Sequence, residues 1–373
     1  MPAVITIIGA GVIGLAIAAQ VAGKGHEVYM LEKNETFGKE TSSRNSETIH
    51  AGIYYPEESL KAKTCVRGNA LIYELCRQYG IPCRKTGKLL VATVNEEVEQ
   101  LELLVEQRKK SGVDDLSILA GNEIEELEPN IKAVAAVLSP SSGVIDAHAL
   151  MRFFLSRARE KGAEIVHKSE VVGIERLSDA YEVTVEDESR GFTFKTEIVI
   201  NCASLHSSNI ARLAGIDVDE AGYRLHYCKG EYFSVAGGKG KLVKRLIYPV
   251  PAPRTGGLGI HTVMDVEGRM RLGPNARYVD EIDYRVDESQ QGVFYSSVKP
   301  FLPFIEYEDL VPEMAGIRPK LQGPGEDFRD FVIEHEQDRG LPGFINLIGI
   351  ESPGLTGAPA IAQYVDSMVR ETL

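Results

Sequence analysis

The chain has 373 residues, a length suited to about two domains. It is 43% hydrophobic and 25% charged, an ordinary globular composition that excludes disordered and fibrous classes. Against 41 Lys and Arg stand 54 Asp and Glu, a formal net charge of -13; such a surface repels phosphate backbones, so nucleic acid is not expected as a partner, and an anionic ligand must be drawn in by local cations.

The run from Ala3 to Ala19 is almost wholly apolar, but Met1-Pro2-Ala3 lacks the basic start of a secretory signal, so it reads as mature structure. No other stretch approaches the length of a membrane-spanning helix, which leaves only peripheral membrane association open. Val4 to Ile8 reads as a buried strand, Val12 to about Ala22 as a helix and Glu27 to Leu31 as a second strand, together one βαβ opening. Glu57 to Tyr79 reads as an amphipathic helix stopped at Gly80, and Asn95 as the cap of another that carries Val98, Leu101, Leu104 and Val105 on one face. Asp146 caps a third, Ala147 to Lys161, followed by a strand from Ala163 to His167. The stretch from Val171 to Ala203 is strand-rich, and Tyr223 to Arg277 alternates like sheet with Gly/Pro punctuation at Val250–Pro253 and Gly256–Gly259. An apolar strand over Phe344–Ile350, a turn and a helix from about Pro359 to Thr372 close the chain. The five cysteines, Cys65, Cys76, Cys83, Cys202 and Cys228, include no C-x-x-C pair; they read as reduced thiols of a cytoplasmic protein, with no metal site.

Gly9-Ala10-Gly11-Val12-Ile13-Gly14 follows the first strand and opens the first helix, and Glu32 ends the second strand. Glycines at these spacings permit a tight turn and close approach of a pyrophosphate to backbone at a helix N-terminus, and Glu32 suits a ribose 2′-hydroxyl. FAD and NAD share this fingerprint. It occurs once, which predicts one bound dinucleotide. Beyond it lie Thr41-Ser42-Ser43-Arg44-Asn45-Ser46 and Ile49-His50-Ala51-Gly52-Ile53-Tyr54-Tyr55, whose hydroxyls, guanidinium and imidazole suit phosphates and a redox ring, or alternatively a polar surface loop.

These motifs, with Leu60-Lys61-Ala62-Lys63, resemble the D-amino-acid-oxidase-like (DAO) superfamily of FAD-dependent oxidoreductases, and within it the L-2-hydroxyglutarate dehydrogenase/oxidase group. The resemblance runs on through Lys229-Gly230-Glu231-Tyr232-Phe233, Leu272-Gly273-Pro274-Asn275-Ala276 and Gly316-Ile317-Arg318-Pro319-Lys320 to the segment 346–356. One departure is Asn201-Cys202-Ala203-Ser204, where the superfamily usually has N-A-A-G.

The resemblance implies an α/β fold of two domains. One is an FAD-binding Rossmann-like βαβ domain over residues 1–83, 141–220 and 330–373. The other is an inserted sheet-rich α+β substrate domain over 84–140 and 221–329. The FAD set it implies comprises Gly9, Gly11, Val12, Ile13, Gly14, Glu32 and Lys33 at the fingerprint, then Thr41, Ser42, Ser43, Asn45, His50, Ala51 and Gly52. Val171, Cys202, Ala203, Gly316, Arg318, Gly354, Leu355 and Thr356 complete it, the last three in the turn before a helix whose N-terminus stabilises charge on reduced flavin.

The chemistry so implied is hydride transfer from a 2-hydroxy acid to flavin, with L-2-hydroxyglutarate as the best substrate. It needs a base and a carboxylate clamp. His50 is the first candidate for the base and His261 the second; His148, His167, His206 and His226 read as structural or surface residues. Arg318 in its G-I-R-P context is the candidate clamp, since a guanidinium binds a carboxylate bidentately. Lys229, Tyr248, Arg254 and Tyr55 are candidates for a second donor. The electron acceptor stays open among oxygen, a quinone and another flavoprotein. Two other readings remain: an amino-acid or sarcosine-type oxidase, and a flavin-binding subunit without catalysis.

Overall fold

The N-terminal apolar run has no polar face because both of its sides are covered. In the computed structural model, which describes residues 2–109, 112–187, 191–251 and 258–373, Val4–Ile8 is a strand paired in parallel with Glu27–Glu32 on one side and Ile198–Asn201 on the other. Parallel strands buried on two faces carry continuous β-branched runs, as here. They belong to a six-stranded sheet in which Glu164–His167 lies at one edge, and Phe344–Ile348 and the antiparallel Val332–His335 at the other. The helix Val12–Val21 is buried nearly all round and packs on the helices Ala147–Glu160 and Gly354–Thr372, its alanines allowing close approach. A three-stranded meander of Glu170–Arg176, Tyr181–Glu186 and Phe192–Thr196 completes this part.

By packing, the chain divides into two units: residues 1–43, 147–226 and 318–373, and residues 44–146 and 227–317. The second unit contains a four-stranded sheet ordered Leu246–Pro249, Lys88–Ala92, Ala135–Ser139 and Ser117–Ala120. A further sheet is built on His226–Val235 with Met270–Gly273, His261–Met264 and Arg277–Val279. Leu89, Val137, Ile247, Phe233 and Phe294 lie in its core, the last two rings 4.6 Å apart.

These units differ from the boundaries expected from sequence at several joints. Residues 44–83 group with the second unit because the helix Leu60–Tyr79 is tied to it: Asn69 donates to the His50 and Ser141 carbonyls, both at 2.9 Å, and the Tyr73 hydroxyl donates to Ser141 at 3.1 Å. The stretch 141–146 follows, since the Ile145 amide donates to Glu47 and the Asp146 amide to Pro82, each at 2.9 Å. Residues 318–329 group with the first unit, where Lys320 faces Glu351 at 3.4 Å and Arg329 donates to Gly222 at 2.8 Å. The terminal helix also begins earlier than expected, at Gly354 rather than near Pro359. Its first turn is entered through the Gly354 amide, which donates to the Glu351 carbonyl at 2.6 Å, and Pro359 is accommodated inside the helix. Among the described residues no helix is long and apolar enough to cross a membrane.

The departure at Ser204 has a backbone consequence. Ser204 has φ 50°, the left-handed region in which glycine is free and other residues are strained by about 1–2 kcal/mol, and its hydroxyl donates to Thr41 Oγ1 at 3.2 Å. Replacing Ser204 with Val, whose branched Cβ suits this region least, is expected to cost about 1–2 kcal/mol, whereas Ser204→Gly leaves the melting temperature at or above that of the parent. Thermal unfolding checks this, and a lower melting temperature for the glycine variant than for the valine variant contradicts it.

Candidate functional site

The turn between the first strand and first helix is fixed by two backbone approaches. Gly9 has φ +104°, and a Cβ on it would lie 2.6 Å from the Cys202 carbonyl oxygen. A Cβ on Gly14 would lie 2.1 Å from the Gly9 carbonyl oxygen. Only glycine fits either position, so the helix starts directly against the strand end. Gly11 caps that helix without a side-chain bond, and no acidic residue stands in its first turn. The Val12 amide donates to Ser42 Oγ at 2.9 Å. The terminal helix likewise starts with neither a side-chain cap nor an acidic residue, and a Cβ on Gly354 would reach Ile13 Cδ1 at 4.0 Å. Two helix N-termini with uncompensated positive dipole ends thus come together, an arrangement suited to anionic groups.

Beside this turn lies a pocket lined by Gly9, Gly11, Glu32, Lys33, Glu40, Thr41, Ser42, Ser169, Val171, Cys202, Ala203, Ser204 and His206. Glu32 is buried and oriented: one carboxylate oxygen accepts the Ala10 amide at 2.9 Å, the other the Asn34 amide at 2.9 Å and side chain at 2.7 Å. Lys33 Nζ lies 2.9 Å from Glu40 and 2.7 Å from His206 Nε2. Burial alone would raise the Glu40 carboxyl, but His206 and Lys33 outweigh it and hold it at about 2. The pocket therefore brings together most of the expected fingerprint set and adds Glu40 and His206. Glu40 stood next to the quoted motif. In sequence His206 reads as a structural or surface residue, and a histidine so distant from the fingerprint gives no signal of its place here.

A second constellation is formed within the other unit. His50 is buried, and its pKa is lowered well below the ordinary value by burial first, then by the charges of Lys88 and His261. His261 is buried, its Nδ1 lies 2.7 Å from the Gly259 carbonyl, and its ring stacks on Tyr248 at 3.6 Å with an interplanar angle of 22°. The Gly259 carbonyl accepts only, so Nδ1 is the donor of this bond. Lys88, 1% exposed, places Nζ 4.4 Å from the Tyr248 ring centre and 5.1 Å from that of Tyr54. Burial lowers it to about 8, partly offset by Cys65. Both histidines expected from sequence thus share one buried cluster with Tyr248, and sequence reasoning missed Lys88 and Tyr54. Lys88 sits in an apolar strand run, where the single charge is the one cue.

Two of the remaining candidates have partners of their own. Lys229 is buried beside Glu231 at 3.8 Å and Asp283 at 4.0 Å and donates to the Arg285 carbonyl; its charge serves the buried Glu231, which also faces Arg277 at 3.4 Å. The Tyr55 carbonyl accepts from Arg108. Arg254 lies outside the described residues. Arg318 is half-buried in the strand Leu310–Lys320. Asn45, Ala51, Gly52 and Gly316 belong, like His50, to the second unit, so the expected FAD set is divided between the units.

A family model described as FAD dependent oxidoreductase, DAO, matches residues 5–368, and the chain belongs to this family. It is 37% identical over 401 residues to an L-2-hydroxyglutarate dehydrogenase, mitochondrial, of Arabidopsis thaliana, covering 96% of this chain and 82% of that one. It is 30% identical to a glycerol 3-phosphate dehydrogenase of Caloramator mitchellensis, covering 98% of this chain and 73% of that protein. Among solved structures, L-alpha-glycerophosphate oxidase of Mycoplasma pneumoniae with FAD bound superimposes with a TM-score of 0.87 at 26% identity, over 99% of this chain and 95% of that one. The protein is an FAD-dependent oxidoreductase, and the glycine cradle, the oriented Glu32 and the paired helix N-termini fit a dinucleotide. Because a Gly14 side chain would collide with backbone, Gly14→Ala is expected to yield protein with less than about a tenth of the parent's flavin per chain, read from visible absorbance after purification; parent-like flavin content contradicts this.

Proposed function

We propose that the chain oxidises L-2-hydroxyglutarate to 2-oxoglutarate. Bound FAD supplies the acceptor for the hydride that leaves C2. The observation that carries the reading is the buried, neutral His50, which at neutral pH is ready to take the proton of the C2 hydroxyl. His261, whose Nδ1 is tied to the Gly259 carbonyl, is the second candidate for that role. Arg318 is assigned the C1 carboxylate, which its planar guanidinium holds in a fixed orientation. Near-full-length likeness to an L-2-hydroxyglutarate dehydrogenase supports this substrate; likeness to glycerol 3-phosphate enzymes supports a second reading, with a phosphate in place of a carboxylate. The five cysteines are free thiols, and the compartment in the relatives' name is the mitochondrion, where the sequence reading expects the cytoplasm. Reduced flavin hands its electrons to oxygen, a quinone or another flavoprotein.

A turnover panel with a redox dye as acceptor tests the proposal. L-2-hydroxyglutarate is expected to give the highest kcat/KM among itself, glycerol 3-phosphate, glycine, sarcosine and proline; a preference for glycerol 3-phosphate or an amine overturns it. His50→Gln is expected to lower kcat by about two to four orders of magnitude with flavin content retained. Because His50 stays deprotonated well below its ordinary value, the acid limb of kcat/KM should fall below about pH 6.5; a limb above it removes His50 from the role. Arg318→Ala is expected to lower kcat/KM by roughly two orders of magnitude, and Arg318→Lys to recover only part, since it keeps the charge without the fork.

A further inference from the structure

Lys88 lies in the strand Lys88–Ala92, paired with Ser139 on one side and Leu246 on the other, and is 1% exposed. Burying an ammonium is unfavourable unless an anion stands beside it. Among the described residues none does. Its contacts are the faces of Tyr248 and Tyr54, and the titratable groups felt around it are the Cys65 thiol, itself pushed up by burial to about 12, and His50. Aromatic faces stabilise a buried cation less than a carboxylate does. The chain has 54 acidic residues, several of which it uses to neutralise other buried cations: Lys229 has Glu231 and Lys320 has Glu351. A second buried group stands in the same condition: the Tyr54 hydroxyl has no hydrogen-bond partner among the described residues. An unpaired cation and an unpaired donor, brought together by one aromatic contact and sharing the cluster of His50 and His261, form half of an anion site whose other half is not protein.

We propose that Lys88 and the Tyr54 hydroxyl hold the second, distal carboxylate of the substrate and so set the preference for a dicarboxylate over a monocarboxylate. In substrate identity this rests on the reading given under the proposed function; as an anion subsite it does not. Tyr248 positions the ammonium by its face and His261 by stacking on it. The distal carboxylate then fixes the far end of the substrate while the hydroxyl carbon is presented to the base. Among the described residues the ammonium is held by rings alone, so removing its charge is not expected to destabilise the fold.

The test compares kcat/KM for L-2-hydroxyglutarate with that for L-2-hydroxyvalerate, which lacks the second carboxylate, in the parent and in Lys88→Met, Lys88→Arg and Tyr54→Phe holoenzymes. The ratio of the two values is expected to fall about 100-fold in Lys88→Met, as for loss of a buried charge-assisted contact. It should fall several-fold in Tyr54→Phe and be partly restored in Lys88→Arg, while the melting temperature of Lys88→Met stays at or above the parent's. A ratio that stays within about threefold of the parent, with both substrates losing equally, overturns the proposal and leaves Lys88 acting through His50. Direct binding separates this from the choice of substrate: glutarate, butyrate and glycerol 3-phosphate are titrated against the flavin spectrum of each holoenzyme. Anion binding that disappears in Lys88→Met supports the subsite even if L-2-hydroxyglutarate is not turned over, and then only the substrate assignment fails. Glutarate binding by the parent no tighter than butyrate, with glycerol 3-phosphate binding unaffected by Lys88→Met, overturns the subsite itself.

Discussion

The geometry of the first unit depends on a contact between backbones with no side chain in it. The Gly9 carbonyl occupies the place where Gly14 would carry a Cβ, and the Cys202 carbonyl occupies the corresponding place at Gly9. Three chain segments are thereby locked at one point: the end of the first strand, the start of the first helix and the end of the strand Ile198–Asn201. Every later feature of the nucleotide pocket follows from that lock. The helix N-terminus is delivered to the end of the first strand, Ser42 is brought to the Val12 amide, and Ser204 takes a left-handed conformation that its side chain does not favour.

Charge is arranged on two scales. The whole molecule is acidic, with a net charge of -13, yet Lys88 is buried in the second unit with no carboxylate beside it among the described residues. Global repulsion falls off within a Debye length, whereas a buried, poorly hydrated ammonium acts at short range and full strength. An acidic protein can therefore select anions by position. The same burial that makes Lys88 costly keeps His50 neutral, so one desolvated cluster supplies both a charge and a base.

Much of the first unit was legible because its constraints are local. Gly9, Gly11, Gly14 and Glu32 lie within one βαβ unit, and period, breakers and β-branched runs marked it without ambiguity. The helix of residues 60–79 was legible to its stop at Gly80, whose φ of 68° needs glycine. What sequence patterns could not carry was long-range. His206 meets Lys33 across 173 residues, and Lys88 meets Tyr248 through a parallel pairing of Lys88–Val91 with Leu246–Pro249; neither partnership leaves a spacing to read. Lys229, attractive as a cation in a motif, proved to be spent on Glu231. Pro359 misled in a simpler way, because a proline inside a helix reads the same as one that begins it.

The central claim is that a hydride leaves C2 of L-2-hydroxyglutarate for the FAD held by this chain. Anaerobic rapid mixing of the purified holoenzyme with L-2-hydroxyglutarate, unlabelled and deuterated at C2, measures that step with no electron acceptor present. The account predicts full loss of the oxidised-flavin absorbance, formation of one equivalent of 2-oxoglutarate and a slower rate with deuterium at C2. Flavin that stays oxidised with L-2-hydroxyglutarate, yet bleaches with glycerol 3-phosphate or an amino acid, would contradict it.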